Sequence, residues 1–179
     1  MSDPRQDPQV EPDTKNWTWV IERRCEECGF DASQVAGTDV GFHVAETAHA
    51  WIAELARPDV RERPAPGVWS PLEYACHVRD VHAVFARRVA RMIAEDEPEF
   101  ENWDQDAAAV EGRYHEQDPE QVLVELIAAA DRAAAVFSSV PPDAWDRPGR
   151  RGDGSVFTVE TIGRYYVHDL RHHEHDVAR

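Results

Sequence analysis

The sequence predicts an all-α protein, an antiparallel four-helix bundle with a short N-terminal arm, and three observations carry that expectation. Apolar side chains recur at three- and four-residue spacings over four long stretches. Three of those stretches open on residues that start helices, and strand-type alternation is almost absent. The 179 residues, 42% hydrophobic and 30% charged, suit one domain with a substantial core.

Residues 1 to about 15 hold almost no large apolar side chains and are expected to be disordered. The segment WTWVIERRCEECGFD carries two tryptophans and an alternating start, which predicts a short extended arm packed on the bundle. The chain thus divides into a tail and arm over 1–35 and the bundle over 36–179. The first helix is expected from about Asp39 to Leu55, with Val44, Ala48, Trp51 and Leu55 inward and Pro58 closing it. The second opens at Ser70-Pro71-Leu72-Glu73, a capping box with proline at the first helical position. Its inner residues are Ala75, Val78, His82, Phe85, Val89 and Met92, and it ends at the acidic run before Pro98. A short helix over Asp104 to Tyr114 is weakly encoded, because Gly112 lies inside it. The third long helix starts at Asp118-Pro119 and runs to about Ser138, where Pro141 and Pro142 forbid continuation. RPGRRGDGSVF reads as a loop or tight hairpin, after which Thr158 caps a last helix reaching about Val177.

The charge balance, 35 acidic against 19 basic residues and a net charge of -16, argues against nucleic-acid and anionic-membrane partners. No stretch approaches the roughly 20 apolar residues that span a bilayer, and the N-terminus is polar and proline-dotted, so a cytoplasmic location is expected. Three cysteines do not make a disulfide framework and fit a reducing compartment.

The chemistry is concentrated in histidines. His168 and His172 form an H-x-x-x-H pair, stacked one turn apart on the last helix, and His77 follows the second helix's start signal. Three imidazoles from two facing helices would hold a divalent cation with coordination positions left open, as in a catalytic site. At about 100° per residue, Val159, Ile162, Tyr166 and Leu170 form the core stripe of the last helix, while Thr161, Tyr165, His168 and His172 line another side. His173 and His175 are substitutes for His172, with His173 falling back toward the core stripe. His43, His49, His82 and His115 read as core-edge or surface residues. Cys25-x-x-Cys28 reads as a second metal or redox pair; structural zinc would need two more ligands, which His43, His49 or the terminal histidines supply only if the arm folds back. Cys76 lies about 100° from His77 on its helix and should pack in the bundle.

The run W-S-P-L-E-Y-A-C-H-V-R-D-V, followed about ninety residues later by Y-V-H-D-L-R-H-H, resembles the DinB/YfiT-like superfamily over roughly residues 36 to 179. The arm, with D-T-K-N-W-T-W-V and C-E-E-C-G-F-D, and the segment N-W-D-Q-D resemble an actinobacterial-type subgroup. The resemblance implies a four-helix bundle with a divalent metal on His77, His168 and His172, zinc first, with nickel or another cation as alternatives. It also implies a metal-dependent enzyme, a thiol S-transferase that activates a low-molecular-weight thiol of the mycothiol type for attack on an electrophile. A hydrolase using metal-bound water and a non-catalytic metal-binding or interaction bundle are the rival readings. Asp80 and Asp169 are candidates for orienting a ligand imidazole or moving a proton, and Trp103, Asp104 and Tyr165 for contacting substrate. The expected partners are a small-molecule thiol and its electrophile, with a homodimer formed through the arm.

Overall fold

The protein is described by a computed structural model covering residues 15–179; the expected disorder of the first residues lies outside the described ones. Helix α1 (Val40–Leu55) buries Val44, Ala48, Trp51 and Leu55, the inward positions its spacing requires. Helix α2 (Pro71–Ala94) begins with the full capping box: the Ser70 side chain accepts from the Glu73 backbone N–H, and the Glu73 carboxylate accepts from that of Ser70. Arg63 donates to both Glu73 oxygens, so the buried carboxylate is paired as well as capped. Helix α3 (Gln105–Glu111) is short; Asp104 caps it by accepting from Ala107 N–H at 2.9 Å. Helix α4 (Pro119–Ser138) starts on the Asp118 cap, and α5 (Val159–Val177) on Thr158, whose partner in the capping box is Thr161.

The four long helices close one core. α1 packs on α4 and α5, and α2 packs on the same two, so α1 and α2, consecutive along the chain, face each other across the bundle. Trp51, Leu72, Leu126, Ile162, Tyr166 and Leu170 meet in its interior, essentially without exposure. At roughly 1.5–3 kcal/mol for each large apolar side chain buried, this packing holds the site's helices in fixed rotation.

Two features depart from the sequence expectation. The hairpin of β2 (Pro148–Arg151) and β3 (Val156–Thr158) forms in the glycine-containing segment, but β2 also pairs in parallel with an unforeseen strand, β1 (Glu99–Phe100). Gly149 permits this, since a Cβ there would stand 2.5 Å from the Phe100 ring and 2.8 Å from Met92. The arm, expected extended, instead makes a 3-10 turn over Thr18–Ile21. Asn16 Oδ1 accepts from both the backbone N–H and the hydroxyl of Thr18, a local bond that competes with extension. Among the described residues no helix is long and apolar enough to cross a membrane.

Candidate metal centre

The core stripe sets the rotation of α5, and that rotation decides which histidines meet α2. Tyr166 and Leu170 point into the bundle; Tyr166 stacks on Phe85 of α2 with ring centroids 4.6 Å apart. His173 lies two turns beyond Tyr166 on nearly the same face, and Asp169 one turn before His173. Together they face His77. The Nε2 atoms of His77 and His173 are 3.0 Å apart, and His173 Nε2 is 3.7 Å from Asp169 Oδ1. His77, Asp169 and His173 each offer a ligand atom within 4.8 Å of the others. Imidazole nitrogens bound tetrahedrally at about 2.0–2.1 Å from a zinc ion stand about 3.3 Å apart, so the spacing suits a shared cation.

The expected set of His77, His168 and His172 is not brought together. Among the described residues, His168 and His172 instead share a second group with Cys25 and Cys28, again with ligand atoms within 4.8 Å of one another. The reason is a one-residue register. The pairs 168/172 and 169/173 have the same four-residue spacing but point about 100° apart, and only the second faces α2. The drift of His173 toward the core stripe is what carries it to His77.

The imidazoles at both groups are desolvated. Burial, and then His173, hold His77 well below the ordinary histidine value of 6.5. Burial, with His172 and His173 adding, lowers His168 to about 3, and burial lowers His172 as well. Neutral imidazole is the form that binds a cation, so His77, His168 and His172 have the protonation state a metal requires. Burial pushes the Cys28 thiol up to about 11.

Two cavities adjoin the first group. One of about 370 Å³ is lined by His77 and Asp169 together with Tyr165, Trp103, Arg88 and Arg151. The other, of about 470 Å³, reaches Asp169 and His173 past Trp69 and Tyr74, and also touches His168 and His172. Lys15, Trp17, Trp103, Gln105, Tyr165 and Asp169 line both. Trp103 stacks on the His77 ring at 5.3 Å and 14°, fixing the face that imidazole presents. Tyr165, raised by burial and by the nearby Asp169 carboxylate, keeps its phenolic proton at neutral pH. Burial and the neighbouring Arg151 lower Arg88 to about 10, which still leaves it cationic at neutral pH.

Of the other expected site residues, Tyr165 and Trp103 line the cavities, and Asp104 combines a place in the second cavity wall with its capping role. Asp80 does not join them. It accepts from the Tyr114 hydroxyl at 2.5 Å and from Arg79 Nε at 2.9 Å and lines neither cavity, because three residues beyond His77 the helix has turned it toward the Tyr114 segment. His82 is fully buried beside the Tyr166 hydroxyl, a core position with no place in either group. Arg88, Arg151 and Trp17 were not singled out from sequence as site residues; for the first of them the available signal was a place one turn from Phe85 and three turns from His77 on the same side of α2.

The sequence pattern of the DinB superfamily matches residues 43–176, three-quarters of the chain. The chain belongs to the DinB superfamily. Among solved structures it is similar to YfiT from Bacillus subtilis, described as a probable metal-dependent hydrolase with an unusual four-helix bundle topology, at 18% identity and a TM-score of 0.69, covering 79% of this chain and 82% of that one. No curated protein matches the chain. At that identity the likeness to YfiT carries the fold, and the DinB bundle here keeps α1 and α2 apart across the core. The match begins after the arm, so Cys25 and Cys28 lie outside the region matched.

Proposed function

We propose that this DinB-superfamily chain is a metal-dependent thiol S-transferase whose catalytic cation is held by His77, Asp169 and His173. The observation that carries the reading is the position of that group. Its three donors converge at the junction of two cavities, which leaves coordination positions facing substrate space. A divalent cation there, zinc first, would supply the Lewis acidity that keeps a thiol ionised at neutral pH. The chain's own residues do the rest. Trp103 and Trp17 offer flat aromatic faces, and Asn16, Asn102 and Gln105 offer amides, a lining suited to a polyhydroxylated thiol of the mycothiol type. Arg88 adds positive charge, Arg151 being paired with Asp153, and this suits an electrophile bearing an anionic group. Tyr165 retains a proton it can donate to a departing group. Sulfur forms the new bond to carbon, the leaving group departs with its electron pair and takes up the Tyr165 proton, and the thiol proton passes to solvent, from which Tyr165 is reprotonated.

Hydrolysis is the second reading. A carboxylate beside two histidines resembles the donor sets that activate water in metallohydrolases, and this favours water as the nucleophile. Turnover of an electrophile panel by the zinc-loaded protein separates the two: S-transfer requires added thiol and yields a thioether, whereas hydrolysis proceeds at the same rate without thiol. Absence of turnover in both arms, with zinc bound, would leave a metal-binding bundle and overturn the enzymatic reading.

A further inference from the structure

The second group of ligands is built differently from the first and lies outside the region that matches the family. Cys25 and Cys28 sit on a tight turn closed by Cys25 N–H donating to the Phe30 carbonyl at 2.8 Å and Gly29 N–H donating to the Cys25 carbonyl at 2.9 Å. Gly29 has φ of 78°, a left-handed conformation that favours glycine, so the C-x-x-C-G order is what lets both sulfurs turn to one side. That side faces α5. Cys25 Sγ is 3.8 Å from His172 Nδ1, against about 3.6 Å for sulfur and nitrogen held tetrahedrally on one zinc ion. His168 is 3% exposed, and its buried Nε2 has no hydrogen-bond partner. The other nitrogen of His172 faces Glu27 and Asp176 carboxylates at 3.7 and 3.8 Å, the environment that orients a metal-bound imidazole.

We propose that Cys25, Cys28, His168 and His172 hold a structural zinc ion that clamps the N-terminal arm to α5. Binding removes one proton from each thiol to solvent. Two thiolates, two neutral imidazoles and one divalent cation then sum to zero charge, which suits a buried position. Four protein ligands fill a tetrahedral ion, so this site offers no position to substrate. Trp17 and Phe30 close over it, with ring centroids 4.7 Å from His172 and 5.6 Å from His168 respectively. The clamp also serves the neighbouring cavity, because Lys15, Asn16 and Trp17 line it and are carried on the segment the ion anchors. The proposal is independent of the chemistry at His77, Asp169 and His173.

Cobalt provides the probe. The full-length protein, purified under reducing conditions and loaded with Co²⁺, should show a thiolate-to-cobalt charge-transfer band. His173→Ala should keep that band, and Cys28→Ser should lose it. On the unaltered protein, zinc should slow alkylation of Cys25 and Cys28 by at least about tenfold while Cys76, buried in α2, serves as the internal reference. A charge-transfer band absent from the unaltered protein, or alkylation that ignores zinc, overturns the proposal. Recovery of Cys25 and Cys28 as a disulfide that zinc cannot displace overturns it in favour of a redox pair.

Discussion

Helix α5 presents two ligand pairs on adjacent faces, and they differ in their donors and in the element that completes each group. Asp169 and His173 look across the bundle to His77 with nitrogen and oxygen donors, and two cavities open beside them. His168 and His172 look outward to the arm, meet two sulfurs, and are covered by Trp17 and Phe30. The pairs are offset by one residue in sequence and about 100° in space. A four-residue spacing by itself therefore says that two side chains can share an ion and nothing about which helix completes the set. The partner is decided by the rotation of the helix, and that is fixed by Ile162, Tyr166 and Leu170 in the core.

The largest expected effect comes from breaking the open group. His173→Ala should reduce turnover by at least about a thousandfold, about 4 kcal/mol of transition-state stabilisation, with little change in thermal midpoint. His172→Ala should chiefly lower the thermal midpoint, with a turnover loss far smaller than that of His173→Ala and arising through the arm's Asn16 and Trp17, so paired measurements of turnover and melting on these two neighbours sharpen the contrast most. Breaking the closed group should act on stability. Cys28→Ser in the zinc-loaded protein is expected to remove about 3 kcal/mol, which lowers the melting midpoint by roughly 6–12 °C for a chain of this size. Calorimetry with zinc and with chelator checks it, and in the variant the difference between the two conditions should shrink to what the remaining site contributes.

A smaller effect separates both groups from a buried histidine that belongs to neither. Burial lowers His82 to about 3 from the ordinary 6.5. Its folded value lies below its unfolded value, so the unfolded chain binds the proton first as pH falls. The stability it contributes is full above about 6.5 and is lost progressively toward 3. Between pH 6.5 and 5 that loss is about 1.5 kcal/mol for this one group, and the urea midpoint of His82→Gln should fall less steeply than that of the unaltered protein over this interval. Smallest is the expected effect at the cavity wall. Trp103→Ala should raise KM about tenfold, near 1.4 kcal/mol, while the zinc content stays unchanged, which steady-state kinetics and elemental analysis test together.

The fold was legible because each long helix is specified by its inner spacing and three of the four also by a cap at the start. Ser70 and Glu73, Asp118 with Pro119, and Thr158 all cap where the sequence places them. Strand β1 was not legible, since two residues pairing with a distant hairpin leave no periodic trace. The site was legible in kind but not in register. His77 and Asp169, both singled out from sequence, fall in one candidate group, but whether His172 or His173 joins them depends on which face of α5 meets α2, a tertiary property. Cys25-x-x-Cys28 reads from sequence as a metal or redox pair needing two more ligands for zinc, with His43, His49 or the terminal histidines as candidates; its internal spacing and that of His168-x-x-x-His172 suit a Cys2His2 zinc site, but most of the chain separates the two halves, so only the folded arm shows which histidines it meets. Asp80 shows the limit of proximity in sequence, since three residues of helix carry it from His77 to Tyr114.

The central claim is that one helix serves two separate cations, and metal stoichiometry by elemental analysis tests it most directly. The unaltered protein should carry two zinc ions per chain, His77→Ala one, Cys28→Ser one, and the double variant none. A single ion per chain in the unaltered protein, lost in both single variants, would mean that His77 and the histidines of α5 share one site after all and would contradict the account.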